Sequence, residues 1–123
     1  MLASQKLMAF VAARDLGRAR DFYRDRLGLR LVGEDEFALV FDAGGTMLRV
    51  TRVEEPAAAP YTVLGWEVDD IVQTAKSLLK AKIGLEHYPG IEQNGLGIWK
   101  SPSGAQVAWF KDPDGNTLSI TEF

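Results

Sequence analysis

The side chains that could perform acid/base or anion chemistry in this chain are few. They are Arg49, Glu67, His87 and Tyr88. Arginine can hold a carboxylate or phosphate through two parallel hydrogen bonds, and the other three can give or accept protons. No two of them form an evident pair whose pKa values would be held apart, as acid/base catalysis requires. The chain has no cysteine, which excludes a catalytic thiol, a disulfide and a thiolate metal site.

The composition is that of one globular domain, residues 1–123, with an acidic balance. Hydrophobic residues make up 46% and charged residues 25% of the chain, which suits a protein that buries a core without disulfides. The net charge of -3 argues against a nucleic-acid partner, because phosphate binding needs clustered Lys and Arg. No apolar run approaches the roughly 18 residues of a membrane span, and the N-terminus has no signal-peptide core. We therefore expect no membrane partner and a cytoplasmic location.

An internal repeat divides the chain into two modules, residues 5–53 and 61–123. Its landmarks occur in the same order in both modules: Asp15-Leu16 recurs as Asp70-Ile71, Gly28-Leu29 as Gly84-Leu85, and GTMLRVT at 45–51 as GNTLSIT at 115–121. The segment EEPAAAP at 54–60 is a linker by composition. One module used twice places equivalent residues of its two copies around a shared centre.

Each module is predicted to follow the order β-α-β-β-β. Each opens with an apolar, strand-like run that ends in an aspartate, and Asp15 and Asp70 are expected to cap the helices that follow. Helices are expected over 15–27 and 70–82, because apolar residues recur there at helical spacing. The strand candidates are 29–33, 37–42 and 46–52 in the first module, and 85–88, 97–100 with 105–110, and 117–122 in the second.

The second module contains a loop rich in Gly, Pro and Ser, with the sequence YPGIEQNGLGIWKSPSG at 88–104. Long loops in compact domains often form binding sites. A hairpin extension without a binding role explains the same composition, and the sequence leaves both open. Trp99 lies beside this loop and could form one wall of a pocket, although packing in the core or at an interface explains a tryptophan at least as well.

Two segments give the chain a family resemblance. The run VAARDLGRARDFYRDRLGLRLV at 11–32 and the ending AWFKDPDGNTLSI at 108–120 resemble the glyoxalase/bleomycin-resistance/extradiol-dioxygenase superfamily, also called vicinal oxygen chelate proteins. The resemblance covers residues 7 to 122. It implies an α+β fold in which two βαβββ modules form a cupped, partly open mixed β-barrel with flanking helices, and frequently a homodimer. Members include isomerases, epimerases, dioxygenases, thiol transferases and drug-sequestering proteins, so the resemblance alone does not choose a function.

Enzymes of this superfamily usually hold one divalent metal with His, Glu or Gln from four strands. In this sequence the matching positions are Met8, Arg49, Val63 and Ser119. None of these is a normal ligand for such a cation, and the fixed charge of Arg49 would repel one. His87, the only histidine, belongs to a different segment and cannot replace three protein ligands. We therefore expect no metal and no other cofactor.

Strand alternation places these four positions on the sheet faces that point away from the helices. The same alternation directs an aliphatic set towards the helices: Leu48, Val50, Leu118 and Ile120. Arg49 on the other face has two interpretations. It forms an ion pair with Glu67 or reaches solvent, or it anchors the carboxylate or phosphate of a ligand.

The sequence thus favours metal-independent binding of a small organic molecule in the central cavity, including sequestration of the antibiotic-resistance type. The expected ligand-binding residues are Met8, Phe10, Arg49, Val63, Glu67, Trp99 and Ser119. The alternative is a glyoxalase- or dioxygenase-like lyase or isomerase, either metal-dependent or relying on side-chain acid/base catalysis. Whether any reaction is catalysed stays open at this point.

Overall fold

The computed structural model describes all residues of the chain. They form two compact units, Met1–Ala57 and Ala58–Phe123, and the boundary between the units falls within the predicted linker. Each unit contains one open four-stranded sheet and its own helical segment. The predicted α+β class with two βαβββ modules is confirmed. No helix is long and apolar enough to cross a membrane.

Unit 1 has four strands and one helical segment. In chain order these are β1 (Met8–Ala13), α1 (Leu16–Arg20) with a π-helical continuation (Asp21–Arg26), β2 (Arg30–Glu34), β3 (Ala38–Ala43) and β4 (Thr46–Arg52). The strand order in the sheet is β1-β4-β3-β2. The sheet is mixed: β1 runs parallel to β4, whereas β4 with β3 and β3 with β2 are antiparallel pairs.

Aspartates begin the helices of both units, as predicted. The Asp15 carboxylate accepts hydrogen bonds from the N–H groups of Gly17 and Arg18 at 2.8 and 3.2 Å. The Asp70 carboxylate accepts one from the Gln73 N–H at 3.1 Å. These bonds satisfy amides that have no carbonyl partner in the first turn of a helix.

Unit 2 repeats the order of unit 1. Its elements are β5 (Thr62–Glu67), α2 (Ile71–Lys80), β6 (Trp99–Lys100), β7 (Gln106–Lys111) and β8 (Thr117–Glu122). The strand order is β5-β8-β7-β6, and β5 is parallel to β8. Equivalent strands therefore hold equivalent places in the two sheets.

The prediction of a strand at 85–88 is wrong. A side chain, not a neighbouring strand, makes most of the hydrogen bonds to the backbone of this segment. The Glu86 N–H does donate to the Trp109 carbonyl at 2.8 Å. The groups that follow bond to Gln93 instead, which accepts from the Tyr88 N–H at 2.7 Å and donates to the Glu86 carbonyl at 2.9 Å. Backbone groups satisfied in this way do not need a strand ladder.

The helix-facing side of each sheet forms the apolar core of its unit. The aliphatic set predicted there is at most 2% exposed: Leu48, Val50, Leu118 and Ile120. In unit 2 the Trp66 ring stacks on the Phe110 ring, with centroids 6.3 Å apart. The opposite side of each sheet, called the open face below, carries the alternate residues and contains the candidate site.

Candidate functional site

The open face of unit 1 holds three of the predicted site residues. Parallel pairing of β1 with β4 places Met8 opposite Met47, and Phe10 opposite Arg49. Phe10 is 58% exposed and Met8 is 44% exposed, so both present apolar surface to solvent. The register therefore sets an exposed aromatic ring directly beside the only basic side chain of the predicted set.

The Arg49 side chain is half-buried, and within unit 1 it forms neither an ion pair nor a side-chain hydrogen bond. The positive charge of Arg49 acts on the carboxylate of Asp35. That carboxylate accepts hydrogen bonds from the Phe37 and Ala38 N–H groups at 2.8 and 3.0 Å. These two bonds hold the pKa of Asp35 below its usual value, and the charge of Arg49 lowers it further. Both backbone hydrogen bonds go to the Asp35 Oδ1, and no hydrogen bond or ion pair joins Asp35 to Arg49, whose donors are left for another partner.

A cavity of about 640 Å³ adjoins this face. It is lined by residues 4–8 together with Val32, Phe41, Asp42, Gly45 and Met47. Met8 lines this cavity, but Phe10 and Arg49 do not. Lys6 and Asp42 bring charges of both signs to it, so the cavity has no clear preference for a charged ligand.

The open face of unit 2 holds Val63, Glu67 and Ser119. Ser119 lies opposite Gly65, and Glu67 lies opposite Thr121. Val63 lies where the register between β5 and β8 shifts, so it occupies a bulge. Val63 and Glu67 are exposed, whereas Ser119 is only 7% exposed. Ser119 is therefore the one predicted residue here that neighbouring atoms enclose.

An aromatic pocket of about 350 Å³ lies in unit 2. Trp109 forms its centre: the Tyr88 ring meets it edge-on at 5.6 Å, and the Trp99 ring lies tilted at 6.1 Å. Pairing of β7 with β8 places Trp109 opposite Ser119, so the pocket belongs to the open face. The remaining lining residues are Pro60, Tyr61, Thr62, Ile91 and Thr117.

The long loop at 88–104 supplies part of this pocket, since Tyr88, Ile91 and Trp99 all line it. Gln93 fixes the loop from within. Besides its bonds to Tyr88 and Glu86, its amide donates to the Gly97 carbonyl at 2.7 Å. A side chain bonded to three separate backbone positions holds the aromatic wall in one arrangement.

Two polar groups border the aromatic pocket. Burial raises the pKa of the Tyr88 hydroxyl, and the nearby charge of Glu86 raises it further. The phenol therefore remains protonated and able to donate at neutral pH. At the other group, the Lys111 Nζ donates to the Thr117 Oγ1 at 2.6 Å, and the Thr117 hydroxyl donates to the Ala59 carbonyl at 3.2 Å.

The residues at the four positions where the family resemblance expects metal ligands do not fit a divalent cation. A thioether, a guanidinium, an isopropyl group and a hydroxyl replace the imidazoles and carboxylates that such a site needs. Nowhere in the chain do three His, Cys, Asp or Glu side chains form a group that could hold a metal ion. The His87 side chain is exposed and lies in the segment before the long loop. His87 therefore stands without the further ligands that a protein metal site needs.

The expected ligand-binding residues do not include Trp109, Lys111 or Tyr61. A usable signal existed for two of them. Ser119 on β8 pairs with Trp109 on the antiparallel strand β7, and Lys111 lies two residues after Trp109 on the same face of that strand. Strand alternation could therefore have pointed to both residues. No comparable signal exists for Tyr61, which precedes β5 and reaches the pocket through the tertiary fold.

Solved structures resemble this chain over nearly its full length. A lactoylglutathione lyase from Agrobacterium tumefaciens matches with a TM-score of 0.76 and 22% identity, over 98% of this chain and 95% of that one. A superfamily member from Sphaerobacter thermophilus DSM 20745 matches with a TM-score of 0.75 and 20% identity, over 100% of both chains. At these identities the likeness shows the fold and not the activity.

Comparison of the amino-acid sequence with curated proteins and with family models gives two results. No curated protein sequence matches the chain at a significant level. The model of the glyoxalase/bleomycin resistance protein/dioxygenase superfamily matches residues 7–120. Because this match spans both βαβββ modules, the protein belongs to that superfamily.

Proposed function

We propose that this protein binds a small organic molecule without the help of a metal ion. The observation that carries the proposal is the aromatic pocket of unit 2, which has formed beside Ser119, one of the superfamily's metal positions. Ligand pockets are typically concave, mostly apolar and supplied with a few polar groups, with volumes of roughly 300–1,000 Å³. The pocket has this volume, a mostly apolar lining and a few polar groups, and it is widely open to solvent.

The predicted site residues take distinct roles in this proposal. On unit 1, Met8 and Phe10 offer apolar surface, and the Arg49 guanidinium offers hydrogen-bond donors to an anionic group. On unit 2, Trp99 provides flat apolar area. Val63, Glu67 and Ser119 provide the remaining open-face contacts of unit 2.

Sequestration is the form of binding that we propose, as the superfamily's bleomycin-resistance members give it part of its name. It requires no reacting group, which agrees with a chain whose few titratable candidates form no catalytic pair. The finer proposals are that the protein confers resistance to an antibiotic, acts in the cytoplasm and assembles as a homodimer. Sedimentation at micromolar concentration tests the last of these, with a single monomer boundary as the contrary result.

Native mass spectrometry of freshly purified protein tests the binding proposal. We expect a mass shift from a copurified organic molecule, or from members of an added set of aromatic acids, amines and neutral compounds. Each binder should keep its affinity after treatment with a chelator, and each should be recovered chemically unchanged after incubation. Absence of any binder up to millimolar concentration, or release of a converted product, would contradict metal-free sequestration.

A further inference from the structure

Lys111 is a cation without a carboxylate partner beside the aromatic pocket. It forms no ion pair, and its only side-chain hydrogen bond goes to the neutral hydroxyl of Thr117, a lining residue. Its side chain is half-buried. A partly desolvated ammonium gains from an anion in reach, because low dielectric strengthens the attraction while leaving an unpaired charge costly.

The hydrogen bonds of Thr117 fix the position of the Lys111 ammonium group. The Thr117 hydroxyl donates a hydrogen bond to the Ala59 carbonyl and accepts one from the Lys111 ammonium. The ammonium is thereby held at the Thr117 end of the pocket, with two further N–H donors to offer. Trp109 lies two residues before Lys111 on the same strand and therefore on the same face.

The aromatic walls of the pocket favour a flat ligand. The rings of Tyr88, Trp99 and Trp109 meet at 5.6 and 6.1 Å. Their faces and edges offer stacking and edge contacts to a planar ring. A volume of about 350 Å³ lies near the lower end for ligand pockets, which admits one or two fused rings. The polar groups of the remaining lining residues are the hydroxyls of Tyr61, Thr62 and Thr117.

From these observations we propose that the aromatic pocket binds a planar aromatic carboxylate, with its rings against Trp99 and Trp109 and its carboxylate on Lys111. The proposal rests on the proposed function and names the class of ligand for it. Glu86 stands on the Tyr88 side of the pocket, as its effect on that hydroxyl indicates. Its negative charge disfavours the reverse orientation. A cationic ring compound would meet Lys111 and bind most weakly.

Calorimetric titration with three matched naphthalenes tests the charge preference. The probes are 2-naphthoate, the neutral 2-naphthamide and the cationic 2-(aminomethyl)naphthalene. We expect naphthoate to bind at least tenfold more tightly than naphthamide, and the amine to bind most weakly. Lys111→Met should remove the advantage of naphthoate while leaving naphthamide unchanged, and Lys111→Arg should preserve it. Lys100→Met, at an exposed lysine on β6, is the matched control and should behave as wild type.

The three tryptophans provide a second test on the unaltered protein. Naphthoate should shift the indole N–H signals of Trp99 and Trp109 in a nitrogen-correlated NMR spectrum. The signal of Trp66, which packs against Phe110 on the core side, should stay in place. The proposal is overturned by equal affinities for naphthoate and naphthamide, by an unaffected Lys111→Met variant, or by unshifted Trp99 and Trp109 signals at millimolar naphthoate.

The two proposals fail in different ways. If the native mass spectrometry finds a binder that naphthoate does not displace, while naphthoate leaves the indole signals unshifted, the aromatic-carboxylate proposal is wrong and small-molecule binding stands. If no compound binds in either experiment, both are wrong.

Discussion

The backbone of Gly65 passes so close to Ser119 that a side chain at Gly65 has no free space. A Cβ atom at position 65 would lie 2.8 Å from the Ser119 Oγ. The two residues are register partners on β5 and β8, and Ser119 is enclosed. The glycine therefore leaves room on the open face of unit 2 for the Ser119 hydroxyl.

Gly65→Ala should lower the free energy of unfolding by about 1–2 kcal/mol, because the added methyl group displaces the Ser119 hydroxyl. The double variant Gly65→Ala/Ser119→Ala should lose less than the sum of the two single variants, since it removes the clashing oxygen. Urea denaturation of all four proteins measures this coupling. Strict additivity would show that the contact carries no strain.

Arg49→Ala should weaken by tenfold or more, which corresponds to about 1.4 kcal/mol, the binding of an anionic compound that native mass spectrometry finds and that 2-naphthoate does not displace from the protein. The reason is that the guanidinium has no partner within unit 1 and can give its donors to a ligand. Arg52→Ala removes an exposed arginine from the same strand and serves as the control. An unchanged Kd for Arg49→Ala, with normal folding, would exclude the anchor role.

Gln93→Ala should loosen the wall of the aromatic pocket, because it removes three hydrogen bonds to the backbone. We expect faster hydrogen exchange at the Tyr88 amide and a stability loss of about 1–2 kcal/mol. The exposed Gln73, on α2, provides the matched control as Gln73→Ala. Unchanged exchange at Tyr88 would mean that Gln93 does not hold the loop.

Purified protein should carry far less than one Ni, Zn, Fe or Mn per chain, and a chelator should leave its Tm unchanged. The family resemblance expects the metal ligands at Met8, Arg49, Val63 and Ser119, and none of these side chains is a suitable ligand for a divalent cation. Elemental analysis and thermal unfolding measure both quantities. A tightly held metal at one per chain would show that these positions are assigned wrongly.

Asp35 should contribute stability that depends on pH. Backbone hydrogen bonds and Arg49 lower its pKa in the folded state, so its contribution is fully present above the unfolded pKa of about 3.9. It is lost as the pH falls through the lower folded value. Asp35→Asn should therefore be less stable than wild type at pH 7, and this difference should shrink in acid. Urea midpoints across this range provide the measurement, and a constant difference would contradict the assignment.

The amino-acid sequence determined the local structure because local structure depends on short-range chemistry. Apolar periodicity located the helices, and the carboxylates of Asp15 and Asp70 marked where they begin. Strand alternation separated the buried Leu48 and Leu118 from the open faces. The order of repeated landmarks was sufficient for the βαβββ modules, and the segments at 11–32 and 108–120 carried the resemblance to the superfamily.

Only the tertiary structure decided how the aromatic pocket is built. Tyr61, Tyr88 and Trp109 are far apart in the chain and become neighbours through strand pairing and the course of the long loop. The same cause overturned the strand at 85–88, since Gln93 takes the hydrogen bonds that a strand partner would have made. A side chain that bonds to distant backbone leaves no periodic signal in the sequence, so its effect became visible only when the chain was folded.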